Sequence, residues 1–234
     1  MDFNLTEEQN AFADSVRKFA QKELADGALE RAHSHDYPWE IAAKLSEMGL
    51  LGITLKEEDG GIGGSLMDAV IAIQELALVC PKSADVVQAG NFGAIRTFAE
   101  YASPYLKEKY LPDLLAGKKL LALGMSEPGA GSSVTELKTS AVEDGDHYVI
   151  NGSKVFSTHS PHADIFLIYV RFGEGLDGIG SVMIDRGTPG FEVGQPSAFM
   201  SGEEWCQLYF DNCRIPKANV LLGPGGFKKQ ISGF

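Results

Sequence analysis

Apolar positions recur at helical spacing along the first half of the chain and at strand spacing along the second. Thr6-Glu-Glu-Gln9 has the form of a capping box, in which a hydroxyl and a side-chain amide satisfy free amides at a helix start. Phe12, Val16 and Phe19 follow on one face, while Arg17, Lys18 and Gln21 fall elsewhere on the circumference. A second helix is predicted from Pro38, a favoured first-turn residue, through Ile41 and Leu45 to a stop at Gly49. A third is expected after Ser65 as N-cap, through Val70, Ile73, Leu76 and Ala77, ending before Pro81. Helical pattern also covers about residues 84–101 and 104–116, which makes a helical unit of short connections ending near Gly117.

After Leu120 the period changes. Glu143-Asp-Gly-Asp146 and Ile150-Asn-Gly-Ser153 set Asp-Gly and Asn-Gly pairs between short runs such as His147 to Ile150 and Lys154 to Ser157, the local signal of hairpin turns. Ile165 to Val170, Ser181 to Ile184, Phe191 to Val193 and Gln207 to Phe210 continue as strands with glycine- or proline-containing turns between them. No long helical pattern interrupts them. The expected fold class is therefore α+β, with an all-α domain over 1–120 and a mainly antiparallel β-barrel or sandwich over 121–224. From Gly225 to Phe234 the pattern turns helical again, with Phe227, Ile231 and Phe234 at i, i+4 and i+7. Two turns are unstable alone, so a C-terminal helical region is expected to be missing from this chain or provided by another.

Composition narrows the classes of function. Of 234 residues, 44% are hydrophobic and 22% charged, ordinary values for a folded chain. The net charge of -12, with no block of Lys and Arg, argues against nucleic acid as a partner. It leaves room for an anionic small ligand, because backbone amides bind phosphate without a basic surface. The first residues lack the pattern of an export signal, and no run approaches the length of a membrane span, so neither is expected. Cys80, Cys206 and Cys213 form no Cys-x-x-Cys pair and read as structural thiols of a reducing, cytoplasmic compartment. The five histidines show no metal-ligand spacing.

The chain holds 27 glycines, so glycine-rich segments arise readily by chance. Gly60-Gly-Ile-Gly-Gly64 reads as a loop before the Ser65 helix, and neither a Gly-x-Gly-x-x-Gly turn nor a P-loop is present. Ser126-Glu-Pro-Gly-Ala-Gly-Ser-Ser133 differs in kind: glycines let main-chain amides approach a ligand, and hydroxyls donate to carbonyl or phosphate oxygens. Taken alone, a polar turn of this composition reads as structural; its pairing with a second segment changes that.

Paired with Asn151-Gly-Ser-Lys-Val-Phe-Ser-Thr158, that segment resembles the flavin-binding signature of the acyl-CoA dehydrogenase family, Thr/Ser-Glu-Pro-x-x-Gly-Ser followed by Asn-Gly-x-Lys-x-Trp-Ile-Thr. The resemblance continues in order through Met1 to Leu24, Leu51 to Ser65, Lys107 to Gly117 and Phe210-Asp-Asn-Cys-Arg-Ile-Pro216 to Phe227, essentially the whole chain. It implies FAD as cofactor. By motif position, Ser126 would hydrogen-bond the flavin pyrimidine edge, where fixed donors stabilise the charge that grows on reduction. Thr158 would sit at flavin N5, Met125 would add a backbone contact, and Ser132, after Gly131, would face the pyrophosphate and the substrate. Phe156 stands where many relatives have Trp against the flavin, with a packed hairpin Phe as the alternative. Ser157 replaces a commoner Ile. Asn91 and Phe92 lie where relatives line the inner end of the acyl pocket.

A further departure falls at Met200-Ser-Gly-Glu-Glu-Trp-Cys206, where relatives often carry Arg and Ser; carboxylates facing the site would repel anionic ligands, and the alternative is a solvated loop with Trp205 packed on the domain surface. The resemblance implies an acyl-CoA substrate, oxidised to trans-2-enoyl-CoA with hydride transfer to flavin N5, an electron-transferring flavoprotein or similar acceptor, and a homo- or hetero-oligomer. It assigns no catalytic base to this chain: that Glu is expected beyond Phe234. Two other readings share the motifs, an enoyl-CoA reductase and a non-catalytic flavin- or CoA-binding subunit of a complex.

Overall fold

In the computed structural model, which describes residues 4–231, Thr6 caps the first helix as the pattern requires. Its hydroxyl accepts from the Gln9 amide at 3.1 Å, and the Gln9 side chain accepts from the Thr6 amide at 3.2 Å. The first five helices are α1 (Glu7–Glu23), α2 (Ala28–His33), α3 (Trp39–Glu47), α4 (Leu66–Ala77) and α5 (Pro81–Ala89). Ser65 and Asp68 form a second reciprocal cap at the start of α4. Val16 and Ala20 of α1 and Leu24 at its C-cap enter one core with Ile41 and Leu45 of α3, Ala69, Ala72 and Leu76 of α4, and Val86 and Val87 of α5. Removing these faces from water drives the packing. A bidentate Arg17–Glu75 pair, both bonds 2.8 Å, joins α1 to α4 around a buried carboxylate.

Three details of this half differ from the sequence reading. Val70 is exposed and Ala69, Ile71 and Ala72 are buried instead, because α4 is apolar nearly all round and its periodicity could not choose a face. The pattern over 84–101 is two helices: α5 starts at Pro81 itself, and α6 (Ala94–Tyr101) follows a break at residues 90–93. The short α2 was not expected; it buries no residue, so its sequence carries no amphipathic signal.

By packing, one unit takes the chain up to Phe92 with Pro112–Lys118, and the other takes Gly93–Leu111 with the described chain from Lys119 on. The division falls inside α7 (Pro104–Leu115).

The second unit is built on β1 (Leu121–Gly124), β2 (Ser140–Asp144), β3 (His147–Thr158), β4 (Ile165–Arg171), β5 (Ile179–Asp185), β6 (Phe191–Val193), β7 (Ser197–Ala198), β8 (Glu204–Pro216) and β9 (Val220–Leu222). They join in the order β6-β8-β3-β2-β4-β5-β9, with β1 beside β4 and β7 beside β8. β4 and β5 are each buried at six consecutive positions, the mark of strands covered on both faces. Most pairings are antiparallel, as expected, but β1 and β2 each pair with β4 in parallel, so the sheet is mixed. Hairpin signals report only neighbours in sequence and are blind to such pairings.

Of the two expected hairpins, the Asp-Gly turn is present, joining β2 to β3 with Asp144 opposite His147. The Asn-Gly pair is not a turn. It is a bulge inside the continuous strand β3, where the register against β8 shifts between Ile150 and Gly152. Gly152 sits at φ +144°, and a Cβ there would stand 2.6 Å from the Thr139 hydroxyl, so glycine is required by close approach. The Asn151 side chain accepts from the Asn212 amide at 2.8 Å, tying the bulge to β8.

The last described helix, α8 (Phe227–Ile231), finds a partner in this unit: Phe227 is buried edge-on against Tyr169 of β4, ring centroids 6.5 Å apart. Ile231 is exposed, and Phe234 of the predicted stripe lies outside the described residues. Among the described residues no helix is long and apolar enough to cross a membrane.

Candidate functional site

β1 ends at Gly124 because the chain folds into a four-residue turn, Glu127 to Ala130, closed by reciprocal amide–carbonyl bonds of 3.0 and 3.1 Å. β3 reaches the same place from the other side. Its register slips a second time between Lys154 and Ser157, and Phe156 within that slip has φ +56°. A bulky residue in left-handed backbone is rare and strained by about 1–3 kcal/mol. The bulge turns the Phe156 ring outward: it is 59% exposed, so it is not a core residue.

The two segments are in direct contact. The Val155 amide donates to the Ser126 carbonyl at 2.9 Å, and the Ser157 hydroxyl donates to the Leu123 carbonyl at 2.8 Å. Between them lies Lys154, whose side chain is fully buried. Its ammonium donates to Glu127 Oε1 at 2.8 Å and to the Met125 carbonyl at 3.2 Å. The Glu127 carboxylate also accepts from the Lys138 and Thr139 amides at 2.7 and 2.9 Å. Burial works to raise the Glu127 pKa, but the Lys154 charge and these donors outweigh it and hold the group below the usual carboxylate range. Burial lowers the Lys154 pKa against the pull of Glu127.

Ser126 and Thr158, each half-buried at its bend, have no hydrogen-bond partner for their hydroxyls among the described residues. Ser157 differs: it is buried, its hydroxyl donates to the Leu123 carbonyl and its own carbonyl accepts from Ser160. Gly131 and Ser132 are exposed. A Cβ built on Gly129 or Gly131 meets nothing within 4 Å, and neither has positive φ, so neither packing nor conformation within this chain asks for glycine there. A molecule lying against that backbone would.

Arginines brace the far side of each bend. Arg171 donates to the Leu137 carbonyl at 2.9 Å and to that of Thr135 at 2.6 Å, fixing the 3-10 turn that follows Ser133. Arg186 donates to the Ala163 and Pro161 carbonyls at 2.6 and 3.2 Å, fixing the chain after Thr158. The sequence reading included Glu127 and Lys154 in the motifs but gave them no role, and it missed both arginines. Lys154 stands in a strand of mixed polar and apolar residues, so nothing in its neighbours marks it as buried.

The unusual Met200–Cys206 segment is placed by its own contacts. Trp205 pairs with Thr158 across β8 and β3, and its ring lies 4.7 Å from Phe156 and 6.1 Å from Phe199. Glu203 and Glu204 face histidines, His159 Nε2 at 3.7 Å and His162 Nε2 at 3.6 Å. Burial lowers the His159 pKa, with Glu203 opposing and His162 adding to that shift.

In the helical unit, Phe92 packs partly against the core. Asn91 is buried and fully engaged: its amide donates to the Leu50 and Val87 carbonyls, both at 2.8 Å, and its side-chain oxygen accepts from the Thr54 amide at 3.2 Å. Its side chain offers no polar group to a ligand; it holds the loop instead.

Comparison with known proteins identifies both domains. Residues 6–118 match the model of the acyl-CoA dehydrogenase N-terminal domain, and 122–213 that of the middle domain. Acryloyl-CoA reductase (NADH) of Anaerotignum propionicum is 37% identical over 97% of this chain and 59% of that protein. The butyryl-CoA dehydrogenase structure from Megasphaera elsdenii is 32% identical with a TM-score of 0.86, over 98% of this chain and 62% of that one. A glutaryl-CoA dehydrogenase from Mycobacterium smegmatis in complex with FADH2 is 26% identical with a TM-score of 0.84, over 94% of this chain and 57% of that one. This chain thus spans about three-fifths of the relatives it matches. With two matched domain models in sequence order and both motif bends in contact, the chain belongs to the acyl-CoA dehydrogenase family.

Proposed function

We propose that this chain forms the flavin- and substrate-facing part of an FAD-dependent acyl-CoA dehydrogenase, with a helical domain over 1–120, a β domain over 121–224 and the start of a further region after residue 224. The observation that carries the reading is the contact of the two bends, with the hydroxyls of Ser126 and Thr158 unengaged beside it. Bound FAD would supply an electron-poor ring able to accept hydride from the β-carbon of an acyl thioester.

The chain's own residues would bind and orient. Ser126 donates to the pyrimidine edge, where a fixed donor stabilises growing negative charge. Thr158 donates near N5, and Met125 and Ser157 contribute backbone. Gly131 and Ser132 admit the pyrophosphate against open backbone, with Ser132 also meeting the substrate. The exposed Phe156 ring covers one face of the flavin. Phe92, on the loop that Asn91 holds, is the residue of the helical unit proposed to meet the acyl chain.

The base that removes the α-proton is proposed to belong to the part of the relatives' length that this chain does not match. Glu127 is held ionised by Lys154 and two amides, and Glu203 and Glu204 face histidines, so none is placed for that task. Acyl-CoA as substrate, an electron-transferring flavoprotein or similar acceptor, an oligomeric assembly and a cytoplasmic location belong to the same proposal. The 37% identity to a protein named acryloyl-CoA reductase favours a second reading, the reverse reaction at the same site.

The test is to mix the protein with FAD and a series of acyl-CoAs and follow flavin absorbance, with and without the polypeptide that corresponds to the rest of the relatives' length. Bleaching by acyl-CoA supports the dehydrogenase; reoxidation of reduced flavin by enoyl-CoA, without bleaching by acyl-CoA, supports the reductase. Failure to retain FAD at high concentration contradicts both.

A further inference from the structure

We propose that the buried Lys154–Glu127 pair is a positioning element, which sets the geometry of all the cofactor-facing segments at once; the cofactor part of this rests on the flavin reading above. The argument is one of connectivity. Lys154 stands two residues before the strained Phe156 and four before Thr158. Its acceptors, the Met125 carbonyl and the Glu127 carboxylate, belong to the residues on either side of Ser126. One ammonium therefore brackets Ser126 from both sides while anchored in the strand that ends at Thr158.

Glu127 extends the linkage to the third segment. Its carboxylate takes the amides of Lys138 and Thr139, so the loop that carries Gly131 and Ser132 leaves from Glu127 and is returned to it. Thr139 then meets β3 through its hydroxyl, which donates to the Ser153 carbonyl at 3.3 Å. Every donor and acceptor in this set joins residues distant in sequence, and each runs to a segment assigned to the flavin.

Stability alone does not call for such a pair. Two desolvated charges are often matched or exceeded by apolar residues of similar volume, whereas an ion pair with amide and carbonyl partners imposes direction. Direction is what a site needs when it must hold two hydroxyls and an open loop at fixed separations.

The experiment compares the wild type with Lys154→Met, the charge-neutral double variant Glu127→Gln/Lys154→Met, and Glu127→Gln alone, which keeps the shape of the site. Amide hydrogen exchange is measured without ligand at Val155, Lys138 and Thr139, with Leu167 in the sheet centre as the internal reference, and FAD is then titrated by its visible spectrum. In the double variant, exchange at the three amides should rise about tenfold or more relative to Leu167, and FAD affinity should fall by a similar factor, the scale of a lost hydrogen bond to a charged group. Glu127→Gln should speed Lys138 selectively, because its side-chain nitrogen cannot accept. Wild-type exchange at these amides in a folded variant, or unchanged FAD affinity and spectrum, would overturn the proposal. If the wild type binds no FAD, the functional reading fails, and the exchange data alone decide whether the pair couples the bends.

Discussion

In the helical unit the side-chain oxygen and nitrogen of Asn91 both have partners within the chain, and the helix starts at Thr6 and Ser65 close on themselves in the same way. At the bends of the β unit the pattern reverses. The hydroxyls of Ser126 and Thr158 lack partners among the described residues, Gly131 leaves open space, and Phe156 holds left-handed backbone while exposing its ring. The glycines repeat the contrast: a Cβ on Gly61 in the helical unit would stand 2.3 Å from the Leu55 carbonyl, whereas one on Gly131 would touch nothing. Buried polar groups satisfied at home serve the fold; strained or unengaged ones beside a rigid frame are where a ligand is met.

This contrast is sharpened or broken by substitution. The largest effect is expected at the frame itself: Lys154→Met strands a buried carboxylate and should cost about 3–5 kcal/mol, read by urea unfolding. Asn91→Ala comes next, since it orphans two buried carbonyls and an amide, at about 1–3 kcal/mol, yet it should leave FAD affinity unchanged. A loss of flavin binding with no loss of stability would place Asn91 on the wrong side of the comparison.

Acid should act through Glu127. Its folded pKa lies below its ordinary 4.5, so the stability it contributes is fully present above that value and is lost as the pH falls through the folded one. The double variant Glu127→Gln/Lys154→Met should therefore lose less stability than the wild type on acidification below about pH 4.5 in a pH series of unfolding midpoints. The smallest stability effects are expected at the ligand-facing residues. Ser126→Ala, Thr158→Ala and Gly131→Ala should each change unfolding by no more than about 0.5 kcal/mol. Each hydroxyl lost should weaken FAD binding about threefold to tenfold by fluorescence quenching.

Much of the helical unit could be read from local rules: the Thr6 capping box, the Ser65 N-cap, the start near Pro38, and the buried line through Val16, Leu45 and Leu76 depend on residues within a few positions of one another. The face of α4 could not, because apolar residues surround it. In the β unit the Asp-Gly turn was legible, but Asn151-Gly152 became a bulge, since the choice depends on Thr139 and Asn212 arriving from elsewhere in the chain. The motif named the bends and could not reveal their support. Lys154 and Glu127 are 27 positions apart, and Arg171 and Thr135 are 36 apart, separations at which no periodicity connects them.

The most direct test of the central claim is an FAD titration of the wild type against Ser126→Ala/Thr158→Ala, followed in the visible spectrum at matched unfolding midpoints. The account predicts saturable binding by the wild type and affinity at least about tenfold weaker in the double variant, two hydrogen bonds having been lost. Equal affinity and an identical bound spectrum would contradict it.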